Sequence, residues 1–88
     1  LIICDALFVQ YNGGPGYRPN WSCLYGGLLF SNDPVAIDQV GYQIIDELRK
    51  NHGMKSLAVV GRFPQHIQSA ARRNLGIADP TKIETIYV

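Results

Sequence analysis

The chain has 88 residues, of which 47% are hydrophobic and 17% charged, with a formal net charge of +1. That length lies near the lower edge of ordinary domains and buries roughly 60 to 65% of the extended surface, so it supports one small core. The apolar balance excludes a disordered chain, and the near-neutral charge excludes the electrostatic footprint of a nucleic-acid or anionic-membrane binder.

Residues 1–10, LIICDALFVQ, read as a buried strand interrupted by Asp5. This opening is too short to span a bilayer and lacks a basic lead or cleavage site, so neither a transmembrane helix nor a signal peptide is expected. A chain that begins on a core strand reads as the C-terminal part of something longer. Residues 11–22, YNGGPGYRPNWS, form a structured loop whose glycines, prolines and asparagines oppose regular structure. CLYGGLLF, residues 23–30, reads as a second strand in which Gly26 and Gly27 permit a bulge or a close approach.

From Pro34 the period becomes helical. Ile37, Val40, Gly41, Ile44, Ile45 and Leu48 share one stripe that would cover a sheet, with Gly41 letting the helix come close, while Gln39, Gln43, Asp46 and Lys50 face away. Gly53 ends this helix. SLAVV, residues 56–60, reads as a short strand or an extended connection. Pro64 opens a second helix with Ile67, Ala70, Ala71 and Leu75 on its apolar face, Arg72 and Arg73 near its end and Gly76 as its stop. ADPTK is a turn or a single helical turn, and residues 83–88, IETIYV, alternate as a final strand. The expected fold class is α/β: residues 1–88 form a single segment, a small sheet with covering helices, and the C-terminal part of a larger α/β domain.

Three aspartates carry the chemical question. Asp33 before Pro34 has the arrangement of an N-cap, worth about 1 kcal/mol. Asp38 lies too far inside the helix to cap it and sits at the rim of the apolar stripe, either on a solvated shoulder or partly buried and paired. Asp5 in an apolar strand needs a hydrogen bond, an ion pair or a cation. If Asp5, Asp33 and Asp38 converge, they suit a hard divalent cation such as Mg²⁺. NGGPG offers backbone N–H groups to an anion, so Gly13 and Gly14 are ligand-binding candidates, with Arg18 and Trp21 beside them for charge and stacking. Each also has a bland use, as a turn or as packing over the core.

His52 and His66 read as helix-end and surface residues. Cys4 and Cys23 leave a structural disulfide open but unneeded and suit a reducing, cytoplasmic setting, and two thiols alone are too few for an iron–sulfur cluster. Residues 1–48 set Arg18 against five acidic side chains, whereas residues 49–88 hold seven of the eight Lys and Arg.

At DALFVQYNGGPG, GGLLFSNDPVAIDQVGYQII and GRFPQHIQSAARRNLGIADPTKIE the chain resembles the C-terminal region of the domain of unknown function family numbered 362. Many members of that family are described as iron–sulfur proteins because they accompany ferredoxin-type cysteine segments. Matching residue by residue picks out Asp5, Gly14, Pro15, Asp33, Pro34, Asp38 and Gly76, without agreed catalytic roles. The paired CxxC motifs of some relatives are missing here, so the resemblance implies that any cluster is held by an N-terminal or ferredoxin-like domain.

Two functional expectations follow. One is the terminal segment of a redox-associated protein with an acidic metal or small-ligand site. The other is a structural or interaction segment that completes a sheet, its aspartates serving as caps and backbone acceptors. The opening apolar strand also invites pairing with a second copy.

Overall fold

A computed structural model describes residues 1–88. Strands β1 (Ile2–Gln10) and β2 (Ser22–Ser31) pair antiparallel and form the one sheet. Ile2, Cys4 and Ala6 stand opposite Ser31, Leu29 and Gly27, and these rows are buried or half-buried. The alternate rows, Ile3 opposite Phe30 and Asp5 opposite Leu28, are exposed. One face of the ribbon is therefore covered and the other is open, as the two-residue period of a strand requires. Between the Ala6–Gly27 and Phe8–Leu24 pairs, Leu7 alone faces Tyr25 and Gly26. Gly26, at φ +78°, supplies the left-handed residue of this bulge.

Helix α1 (Pro34–Asn51) packs against both strands and against helix α2 (Gln65–Arg72). It is buried on two sides. The expected stripe supplies Ile37 and Ile44. On the opposite side, at about 100° per residue, Val35 joins Ile67 of α2 and Ala78 in the main hydrophobic cluster, with Tyr42, Ala70 and Ala71 against it. Gln39 shares this second side and is only 6% exposed, with Oε1 left without a partner. The expectation that Gln39 faces away is corrected by the presence of α2. Gly41 does not serve close packing either, since a Cβ there would meet nothing within 4 Å.

The helix ends use backbone chemistry. Gly53, at φ +74°, closes α1 as Gly53 N donates to Lys50 O and Met54 N to Arg49 O. For α2 the left-handed residue is Asn74, at φ +60°, with Asn74 N bonded to Ala71 O and Leu75 N to Ala70 O. The helix thus stops before Gly76, and Leu75 is turned out, 61% exposed, instead of extending the apolar face. Gly76 has another function. A Cβ at this position would lie 2.7 Å from Val35 Cβ and would also strike the Asp33 carboxylate, so only glycine lets the chain pass against the start of α1.

Two expected strands are absent. Residues 57–61 form consecutive turns closed by Arg62 N on Leu57 O and by Gly61 at φ +76°, not an extended strand. Residues 83–88 run outside any sheet after a short 3-10 turn at Pro80–Lys82. No helix is long and apolar enough to cross a membrane.

The two interior glycines separate packing from conformation. Gly41→Ala is expected to stabilise the fold by about 0.5 to 1 kcal/mol, as a glycine replaced within a helix at an open position does. Gly76→Ala is expected to destabilise it by about 1 to 3 kcal/mol through overpacking. Urea unfolding of both variants beside the wild type measures the two signs.

Candidate functional site

The three aspartates serve three different local structures. Asp33 lies just before α1, where Oδ1 accepts from Val35 N at 2.9 Å and Ala36 N at 3.0 Å. Its other oxygen accepts from Ile77 N at 2.9 Å, forty-four residues along the chain. Asp33 is the cap read from the sequence, and it also pins the C-terminal segment. The Ala36 N–H holds its carboxyl below the ordinary value of 3.8; burial pushes the other way, and the Ile77 and Val35 N–H groups add to the lowering.

Asp5 stands on the open face of the sheet and accepts from Leu7 N at 2.9 Å. It satisfies the donor of the residue at the bulge, which accounts for an aspartate in an apolar strand. Asp38 is exposed rather than partly buried, and its Oδ2 lies 3.3 Å from His66 Nε2 at the start of α2. Both partners are more than half exposed, so this pair contributes little to stability. No group of three His, Cys, Asp or Glu is arranged to hold a metal ion. The convergence of Asp5, Asp33 and Asp38 expected for a divalent cation is therefore corrected: one is on a sheet face, one caps a helix and one reaches sideways to a second helix.

The two thiols are likewise apart. Cys4 stands opposite Leu29 and Cys23 opposite Val9, five residues further along β1. At about 3.3 Å per residue this is roughly 16 Å, beyond the reach of a disulfide or a shared ligand. Both are free.

The glycine loop builds a more concave feature. Gln10, at the end of β1, spans it: Nε2 donates to Gly16 O and Oε1 accepts from Arg18 N, each at 2.9 Å. Trp21 N donates to Arg18 O, and Tyr11 N to Trp21 O. Tyr11 is buried, edge-on to Trp21 and stacked on His52 at 4.3 Å between ring centres. Gly13, at φ +79°, faces Arg18, where a Cβ would come within 3.2 Å of Cγ. Arg18 and Trp21 thus organise the loop, and both are exposed at its outer side.

Two arginines that no sequence pattern singles out complete this feature. Arg49 of α1 is 5% exposed; its Nε donates to Lys55 O at 2.9 Å, and Nη1 to Tyr11 O at 3.0 Å and Asn12 Oδ1 at 3.3 Å. Arg62 Nη2 donates to Gly14 O at 3.2 Å. Together with Gly13, Gly14 and Pro15 they line a cleft of about 370 Å³. Arg49 is not legible from the sequence because it lies in the last turn of the helix, where a solvated cation is the ordinary reading. A larger cleft of about 700 Å³ lies between the α helices and the C-terminal segment, and it includes Gln39.

Neither the protein-family models, nor the curated proteins, nor the solved structures yield a match to this chain.

Removing the Asp33 carboxylate is expected to cost about 1 to 2 kcal/mol, since Asp33→Ala takes away a cap and a tertiary acceptor together. Because its folded-state value is lowered, its stabilisation is complete above the ordinary carboxylate value and is lost as pH falls through the folded-state value. Urea unfolding at neutral and acid pH is expected to show the gap between wild type and Asp33→Ala closing on acidification. A gap independent of pH would contradict this role.

Proposed function

We propose that this chain is a structural and interaction segment that completes a larger α/β assembly, with its aspartates acting as a helix cap, a bulge acceptor and a surface partner. The observation that carries this reading is the open apolar face of the sheet. Ile3 and Phe30 are each 59% exposed and Leu28 is 50% exposed, all in adjoining positions of one ladder. Only 9 of 88 residues are buried.

Surface area gives the scale. A compact monomer of 9.8 kDa exposes about 5,200 Å², whereas this chain exposes 6399 Å². The surplus, roughly 1,200 Å², exceeds the ~800 Å² that one partner contributes to an interface of standard size. An apolar sheet face needs a second layer. The resemblance to the domain of unknown function family numbered 362 supports a redox-associated setting in which that layer belongs to an N-terminal region or a ferredoxin-like domain. In that setting the partner's cysteines hold any iron–sulfur cluster, since Cys4 and Cys23 stand apart.

In the isolated chain the same face is expected to bind a second copy. Sedimentation velocity over a concentration series is expected to show self-association of the wild type and a monomer for Phe30→Lys, with unchanged circular dichroism. A wild type that stays monomeric and well dispersed at the highest concentration would sink the interface reading.

A further inference from the structure

We infer that the cleft between the glycine loop and the C-terminal half of α1 binds a small oxyanion, a carboxylate or a phosphate group, through Arg49 and Arg62. The cleft's volume of about 370 Å³ lies within the range of small-ligand sites, roughly 300 to 1,000 Å³. No acidic residue lines it. Its two charged side chains are both arginines, and the one ion pair in the molecule, His66 with Asp38, involves neither.

Arg49 is the decisive group. It is more than nine-tenths buried, and its guanidinium has no counter-charge. Carbonyl and amide oxygens engage Nε and Nη1, whereas Nη2 has no protein partner and retains two N–H donors. A largely buried cation without a counter-charge, whose free donors are open to the cleft, is suited to an anion that supplies the missing charge. The two free N–H groups of Nη2 can each donate a charge-assisted hydrogen bond to an oxyanion oxygen. Arg62 brings a second cation to the mouth of the same cleft, where its hydrogen bond to Gly14 O fixes it against the loop.

The end of α1 would ordinarily repel an anion. Here three of its last four carbonyls are occupied. Leu48 O receives His52 N and lies 2.8 Å from His52 Nδ1, Arg49 O receives Met54 N, and Lys50 O receives Gly53 N. Asp46 and Glu47, the nearest carboxylates on the helix, make no ion pair with Arg49, and Asp46 instead accepts from Leu57 N at 2.9 Å. These contacts leave the arginines as the dominant charges of the cleft.

The test uses the full 88-residue chain, titrated with sodium phosphate, with sodium acetate, and with sodium chloride at matched ionic strength, while amide and arginine Nε resonances are followed by NMR. Saturable shifts at Gly13, Gly14, Arg49 and Arg62 are expected with an oxyanion and not with chloride. A response to phosphate alone assigns a phosphate-bearing ligand, and a response to acetate assigns a carboxylate; either supports the site. Arg62→Gln, at an exposed position, is expected to weaken binding about tenfold, the worth of one charge-assisted hydrogen bond. Arg72→Gln makes the same charge change outside this cleft and is expected to leave binding unchanged. Shifts no greater than those with chloride, or equal losses in the two variants, would overturn the inference.

Discussion

The two oxygens of Asp33 hold two distant parts of the chain together. Oδ1 closes the first turn of α1, and Oδ2 takes the Ile77 N–H. Between these contacts the chain has made the whole of α1, the turns at 57–61 and α2. Gly76 makes the return possible, because a side chain there would collide with Asp33 and Val35. Ala78 is thereby brought into the cluster with Val35 and Ile67. Cap, close approach and core are one structural unit, and the carboxylate is committed to backbone donors within it.

This economy explains why the molecule has a small but asymmetric interior. The main cluster lies between α1, α2 and the returning C-terminal segment, while the sheet contributes Ala6 as its buried apolar residue. Two strands make a narrow ribbon that α1 covers on one side. The outer rows, with Ile3, Leu28 and Phe30, have no layer over them. Polar chemistry is concentrated elsewhere, at the glycine loop, where buried Arg49 ties β1's exit to the end of α1. The sheet face and the arginine cleft are thus separate surfaces with different chemistry, one suited to an apolar layer and the other to an anion.

The elements with strong local signals were legible in the sequence. Asp33-Pro34 marked the start of α1 because cap and first-turn proline act within a few residues, and Gly53 marked its end because a left-handed position favours glycine. Paired glycines marked the bulge, although only Gly26 takes the left-handed position. What failed depended on tertiary context. Gln39 read as solvent-facing because a helical stripe reveals one buried face, whereas α1 has two. Residues 56–60 and 83–88 had strand-like composition, but a ladder needs a free neighbouring edge, which composition does not encode. Gly76 read as a helix stop, while Asn74 takes that role and Gly76 serves a contact forty residues away. At the candidate site, spacing could not show that Asp5, Asp33 and Asp38 point to separate tasks, nor that Arg49 turns inward.

Asp33 acts as a two-sided backbone clamp, and amide hydrogen exchange in wild type and Asp33→Asn reads both sides of it. Asparagine keeps one acceptor oxygen and is itself a good cap, but it turns an NH₂ group toward the second contact. Val35 and Ala36 are expected to keep their protection while the Ile77 amide exchanges faster. Unchanged exchange at Ile77 in the variant would contradict the clamp.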